Sequence, residues 1–114
     1  MKLDSAIFYT NSISTIVAFY KDIIGLSLEY QDGDDYVSFI FENGARLGIQ
    51  QPRGGREIVG SQTAILSTDK IEALYQELKA KKVTIFKELY TAGWGLTFSI
   101  LDPDKNRIEF LKRN

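Results

Sequence analysis

The chain contains no histidine and no cysteine. The first absence removes the commonest metal ligand and the commonest general base together. The second removes disulfide frameworks, thiolate metal clusters and a cysteine nucleophile, and leaves the redox compartment open. Charge of one sign is missing too: 14 basic and 15 acidic residues nearly cancel, so nothing argues for a nucleic-acid partner or a charged tail. No apolar run is long enough to span a bilayer, and Met1-Lys2-Leu3-Asp4-Ser5 lacks the apolar core of a signal peptide; the reading is a cytoplasmic protein with no membrane partner. What remains, 114 residues that are 44% hydrophobic and 25% charged, is ordinary for one globular domain.

Leu3 to Thr10 suits a strand, with Ala6 and Phe8 on one face and Ser5, Ile7 and Tyr9 on the other. Asn11 and Ser12 offer caps to a helix in which Ile13, Ile16, Val17, Tyr20, Ile23 and Ile24 form one apolar stripe, and Gly25 ends it. Strands are expected at Leu26–Gln31, Asp35–Glu42 and Ala45–Gln50, with Asp32-Gly33-Asp34 and Glu42-Asn43-Gly44 as turns. Residues 51–61 carry Pro52, Gly54 and Gly55 with no apolar period and read as a linker; Arg53 and Arg56 beside those glycines do not make a phosphate loop, because no helix opens there.

After residue 61 the pattern starts again. Thr63–Thr68 reads as a strand, and Asp69 with Glu72 as a capping box for a helix bearing Ile71, Leu74, Tyr75 and Leu78. Further strands follow at Val83–Leu89, Gly95–Leu101 and Asn106–Lys112. Ala6-Ile7-Phe8 overlays Ala64-Ile65-Leu66, the two helix stripes coincide, and Arg46-Leu47-Gly48-Ile49 overlays Arg107-Ile108-Glu109-Phe110. This is a duplicated unit. The expected fold class is α+β, two tandem βαβββ modules (1–50 and 62–114) forming curved mixed sheets around a cavity.

The stretch Leu101–Leu111 is the most informative. Asp102-Pro103-Asp104-Lys105-Asn106 forms a rigid turn, Ile108 and Phe110 face the core, and Glu109 stands on the opposite face within reach of ligand or water.

These residues carry a resemblance. Asp102–Glu109, Ala18-Phe19-Tyr20 with Ile24-Gly25-Leu26, and Asp69-Lys70-Ile71-Glu72-Ala73-Leu74 resemble the vicinal oxygen chelate superfamily: glyoxalase I, extradiol dioxygenases, fosfomycin-resistance thiol transferases and bleomycin resistance proteins. Lys105 replaces the glycine more usual in that turn. The resemblance implies metal ligands on the first and last strand of each module, at Ser5, Gly48, Thr63 and Glu109. Only Glu109 is a good donor there, and a divalent site needs three or four. No metal or other cofactor is therefore expected.

Five residues are candidates for ligand binding. Glu109 is either a polar anchor or a solvated carboxylate paired with Arg46 or Arg107. Trp94, between Gly93 and Gly95, is either a stacking wall or a loop aromatic packed on the core. Tyr9, Arg46 and Gln50 share the strand parity of Ser5, Gly48 and Glu109, which an exposed sheet face would also give. Tyr36, Phe39, Phe41 and Phe98 lie in strands whose register the sequence leaves open. No catalytic constellation appears. The implied function is metal-free binding of a small molecule, an aromatic or cationic antibiotic in the bleomycin-resistance manner, by a homodimer. The alternative is a lyase, isomerase or dioxygenase on the same scaffold with a nonstandard or absent metal site.

Overall fold

Each half of the chain builds a four-stranded mixed sheet with helix on one face. A computed structural model describes residues 1–114 and divides them into two units, Met1–Gly60 and Ser61–Asn114. The first module contains β1 (Ser5–Tyr9), α1 (Ile13–Val17) continued by a π-helical segment (Ala18–Ile24), β2 (Ser27–Asp32), β3 (Tyr36–Ile40) and β4 (Arg46–Gln50). The second contains β5 (Thr63–Ser67), α2 (Ile71–Ala80), β6 (Ile85–Ala92), β7 (Gly95–Leu101) and β8 (Arg107–Arg113). The strand orders are β1-β4-β3-β2 and β5-β8-β7-β6; in each the first and last strands pair in parallel, the other neighbours antiparallel, and neither sheet closes. The tandem βαβββ architecture is the one the repeat predicts.

Strand alternation divides each sheet into a helix-covered face and an opposite face. In the first module Phe8, Val37, Phe39, Leu47 and Ile49 meet the helical stripe, with Tyr20 against Phe39 at 5.9 Å between ring centroids. In the second, Phe98, Ile100, Ile108 and Phe110 meet Ile71, Tyr75 and Leu78, and the Phe98 ring lies 5.0 Å from both Tyr75 and Phe110. The residues of each opposite face follow from register: Tyr36, Ser38 and Ile40 with Arg46, Gly48 and Gln50, and Thr97, Ser99 and Leu101 with Arg107, Glu109 and Leu111.

The first helix is not α-helical throughout. Ser12 caps it, its hydroxyl accepting from the Thr15 amide, but from Ala18 the winding widens to π, so neighbouring Phe19 and Tyr20 are both buried where a pure α stripe would take only Tyr20. Gly25, at φ 88°, ends it as expected. The capping box expected at Asp69 does not form. Thr68 Oγ1 accepts from the Lys70 amide at 3.3 Å, a local turn that delays the helix, and Lys70 becomes an N-cap with no side-chain bond. At the other end Lys82, at φ 60°, sits in a Schellman arrangement with Lys82 N–H to Lys79 O and Val83 N–H to Leu78 O. Val83 is thereby used by the helix end, so β6 starts at Ile85 and not at Val83.

Both modules carry a β-bulge at the same place. Leu28 pairs with Phe39 and Tyr30 with Ser38, leaving Glu29 extra; Ile85 pairs with Ile100 and Lys87 with Ser99, leaving Phe86 extra. Their β3–β4 and β7–β8 turns also match. Phe41 N–H bonds Ala45 O as Asp102 N–H bonds Asn106 O, and Gly44 and Lys105 share the left-handed position at φ 85° and 66°.

Candidate functional site

The Asp102 turn fixes where β8 begins. The Asp102 carboxylate, 4% exposed, accepts from the backbone N–H groups of Asp104 and Asn106 and from Asn106 Nδ2, all within 2.8–3.0 Å. Asn106 Oδ1 accepts from the Gln62 amide, tying β5 to the same turn. From there Arg107 and Glu109 fall on the face away from α2.

Glu109 is not the solvated carboxylate that alternation alone suggests. It is 9% exposed, with Oε1 accepting from Arg107 Nη2 at 3.1 Å and Oε2 lying 3.1 Å from Thr97 Oγ1. Ser99 stands directly opposite it on β7. The guanidinium of Arg107 lies over the Phe86 ring, 5.1 Å from its centroid. A carboxylate, a guanidinium, two hydroxyls and an aromatic ring thus share one patch of the second module.

Arg46 belongs to the first module and is already engaged. Its Nε donates to Glu29 Oε1 at 2.7 Å and its Nη1 to Asp4 Oδ1 at 3.3 Å. The same Glu29 oxygen accepts from Ser38 Oγ at 3.1 Å. The Arg46 guanidinium beside it holds the Glu29 carboxyl below the usual carboxylate range, and the Arg46 pKa is raised in turn. Arg46 and Asp4 also line a shallow hollow of about 170 Å³ with Lys2 and Asn43, which lies at the strand end and not over the sheet face.

Tyr9 and Gln50 are direct partners across β1 and β4, and Gln50 faces Tyr36 across β3, so these three sit together; Arg46 is at the other end of β4, opposite Ser5. Tyr36 in turn approaches Tyr30, at 6.3 Å between centroids. Trp94 occupies the Gly93-Trp94 tip between β6 and β7 and is 51% exposed. Asn114 holds this tip, donating to Gly93 O and Trp94 O, and a Cβ on Gly95 would overlap the Lys112 carbonyl oxygen. Gly95 pairs with Arg113, and from Arg113 back to Glu109 the strand covers about 13 Å. Trp94 and Glu109 are therefore not neighbours in the module they share. Glu29, Phe86 and Ser99 were invisible as site residues because two of them lie on bulges, which shift strand parity.

The four places at which the resemblance implies metal ligands do not supply a donor set. Gly48 has no side chain, and the space a Cβ would need is taken by Tyr36 Oη and Ile7 Cδ1, 2.6 and 2.7 Å from the ideal Cβ position. Ser5 and Thr63 offer only hydroxyls, Glu109 is bound to Arg107 and Thr97, and no three His, Cys, Asp or Glu residues converge.

A model of the Glyoxalase/Bleomycin resistance protein/Dioxygenase superfamily matches residues 2–110. The chain belongs to this superfamily. Solved structures agree on the fold. TnmS3, an antibiotic binding protein from a Streptomyces strain, aligns with a TM-score of 0.87 at 18% identity over 100% of this chain and 97% of its own. A lactoylglutathione lyase from Agrobacterium tumefaciens gives 0.83 at 17% identity over 97% and 92%. A virulence protein from Salmonella typhimurium gives 0.79 at 23% identity over 100% and 98%. Among curated proteins none matches the sequence. Proteins of this fold thus include both a binder and a lyase, and the residues at the site must separate those roles. No helix is long and apolar enough to cross a membrane.

Proposed function

We propose that this superfamily member is a metal-free small-molecule-binding protein that sequesters an aromatic, polar compound, an antibiotic being the leading class, and works as a cytoplasmic homodimer. One observation carries the reading: Glu109, the only strong donor at the four metal-ligand places, is already bonded to Arg107 and Thr97. An ion at Glu109 would have to displace that guanidinium, the chain has no histidine, and no group of three Asp or Glu residues converges to complete its shell. The same patch is well made for an organic guest, since buried hydroxyls and a charged pair give orientation while Phe86, 56% exposed, offers a flat apolar surface. A shared fold with an antibiotic binding protein supports the choice of ligand class.

The test is calorimetric titration of aromatic antibiotics into protein treated with a chelator, alongside elemental analysis of untreated protein and sedimentation to give its mass. Saturable binding unchanged by the chelator, by a dimeric species, is the expected outcome. One tightly held transition metal per chain would overturn the metal-free reading, and a monomer at all concentrations would remove the dimer.

A further inference from the structure

The duplication turns the first module into a template for the second. In the first, one oxygen of Glu29 accepts from both Arg46 Nε and Ser38 Oγ. The second module repeats the frame at the same register positions: Arg107 opposite Thr63 as Arg46 is opposite Ser5, Ser99 opposite Glu109 as Ser38 is opposite Gly48. At the bulge, however, Phe86 stands where Glu29 stands. Its ring stacks on the guanidinium and offers Nε no acceptor. As a result Ser99 Oγ and Arg107 Nε are both buried with no hydrogen-bond partner in the protein, and Ser99 is only 1% exposed. Buried polar groups are almost always paired, and these two belong to a frame that, one module earlier, grips an oxygen.

The chemistry of that oxygen is narrowed by Glu109. In the first module the corresponding position is Gly48, so Glu29 enters as an anion with no carboxylate at the position opposite Ser38. In the second, a carboxylate guest would lie against the Glu109 carboxylate, whereas a neutral carbonyl would not. Glu109 Oε1 accepts from Arg107 Nη2, and the single Thr97 hydroxyl hydrogen is shared between Glu109 Oε2 and the nearer Phe110 O, so the carboxylate has room for a guest N–H next to the carbonyl.

We propose that Ser99, Arg107 and Glu109 form a receptor for a carboxamide on an aromatic ring. Its carbonyl oxygen takes the bonds of Ser99 Oγ and Arg107 Nε as the half-exposed Phe86 side chain swings off the guanidinium, its N–H donates to Glu109, and the guest ring lies along Phe86. This rests on the small-molecule reading and specifies its polar group.

The probe is benzamide, with benzoate and benzamidine as its acceptor-only and donor-only counterparts, followed by the side-chain Nε–H resonance of Arg107 in 15N-labelled full-length protein. Benzamide is expected to shift that resonance saturably, in the millimolar range. Ser99→Ala weakens the effect about fivefold to tenfold, in keeping with one lost hydrogen bond. Phe86→Gln supplies an amide oxygen from the bulge itself, in the manner of Glu29, and abolishes the response while the melting transition shows the variant folded. A shift by benzoate or benzamidine equal to that by benzamide overturns the amide assignment and leaves small-molecule binding standing. No shift by any of the three, or an unchanged benzamide response in folded Phe86→Gln, overturns the assignment as well, and the antibiotic titrations judge the wider reading separately.

Discussion

The two modules share strand order, bulge position and turn geometry, yet their opposite faces are filled in contrasting ways. In the first, Glu29 and Asp4 both engage Arg46, Ser38 is satisfied by the same Glu29, and the Tyr36 hydroxyl presses against Gly48. In the second, Thr97 replaces Tyr36 at the same register position, Glu109 replaces Gly48, and Phe86 replaces Glu29. Internal partners close one frame. The other keeps a charged pair, with Glu109 buried and the Arg107 side chain 34% exposed, that has spare hydrogen-bonding capacity, so one supersecondary unit yields both a closed frame and an open one.

The contrast can be tested by removing the carboxylate that each module relies on. Glu109→Ala empties a buried position and leaves the partly exposed Arg107 guanidinium without its ion-pair partner, and is expected to lower the urea unfolding free energy by about 2 kcal/mol. A loss no larger than that of a surface substitution would show that the pair does not stabilise the second module. The reciprocal experiment fills the first: Gly48→Ala pushes a methyl toward Tyr36 Oη and Ile7 Cδ1 and is expected to destabilise by about 1 kcal/mol, because both neighbours are side-chain ends that can shift. Adding Tyr36→Phe should recover part of that loss, and strict additivity in the double-mutant cycle would mean that Tyr36 is not what crowds Gly48.

The matched turns give a finer test. Lys105 adopts the left-handed conformation that Gly44 supplies in the first module, so Lys105→Gly should raise thermal stability, by about 0.5 kcal/mol after the added freedom of the unfolded glycine is counted. A lowered melting temperature would indicate that the Lys105 side chain stabilises the turn by more than its backbone strain costs.

The smallest effect expected is that of Glu29, whose pair with Arg46 is partly open to water and screened by salt. Its folded-state pKa lies below the ordinary value, so the unfolded chain binds the proton more readily in acid. The stability it adds is present above the ordinary carboxylate pKa, about 4, and is lost as pH falls through the lower folded value. Denaturation of the parent and of Glu29→Gln should therefore differ at neutral pH and converge in acid. A difference that widened in acid would contradict the assigned direction.

Much of this arrangement was legible in the sequence, for physical reasons. The spacing of Ile13, Ile16 and Tyr20, the Asp102-Pro103-Asp104 turn and the alternation through Ile108 and Phe110 are local signals, and each describes a face or a turn that was found. The placement of Arg107 and Glu109 on one face was equally local. What could not be read depends on partners distant in sequence. Arg46 carried the right parity, but its acceptor Glu29 lies on a bulge, where alternation fails, and Ser99 stands out only once strand register sets it opposite Glu109. The π turn at Ala18 was hidden because its consequence, burial of both Phe19 and Tyr20, looks in sequence like a helix with one extra apolar residue.

The bulges at Glu29 and Phe86 have a further effect on how the protein behaves in a crowded solution. β2 and β6 are the outer antiparallel strands of their sheets, and β2 is exposed along its whole length. An uninterrupted outer strand is a template on which another chain can add by hydrogen bonding. The extra residues, one in β2 and two in β6, where the register shifts again between Lys87 and Tyr90, put an incoming partner out of step partway along, so an irregularity common to the two frames also protects both strands against cross-β aggregation.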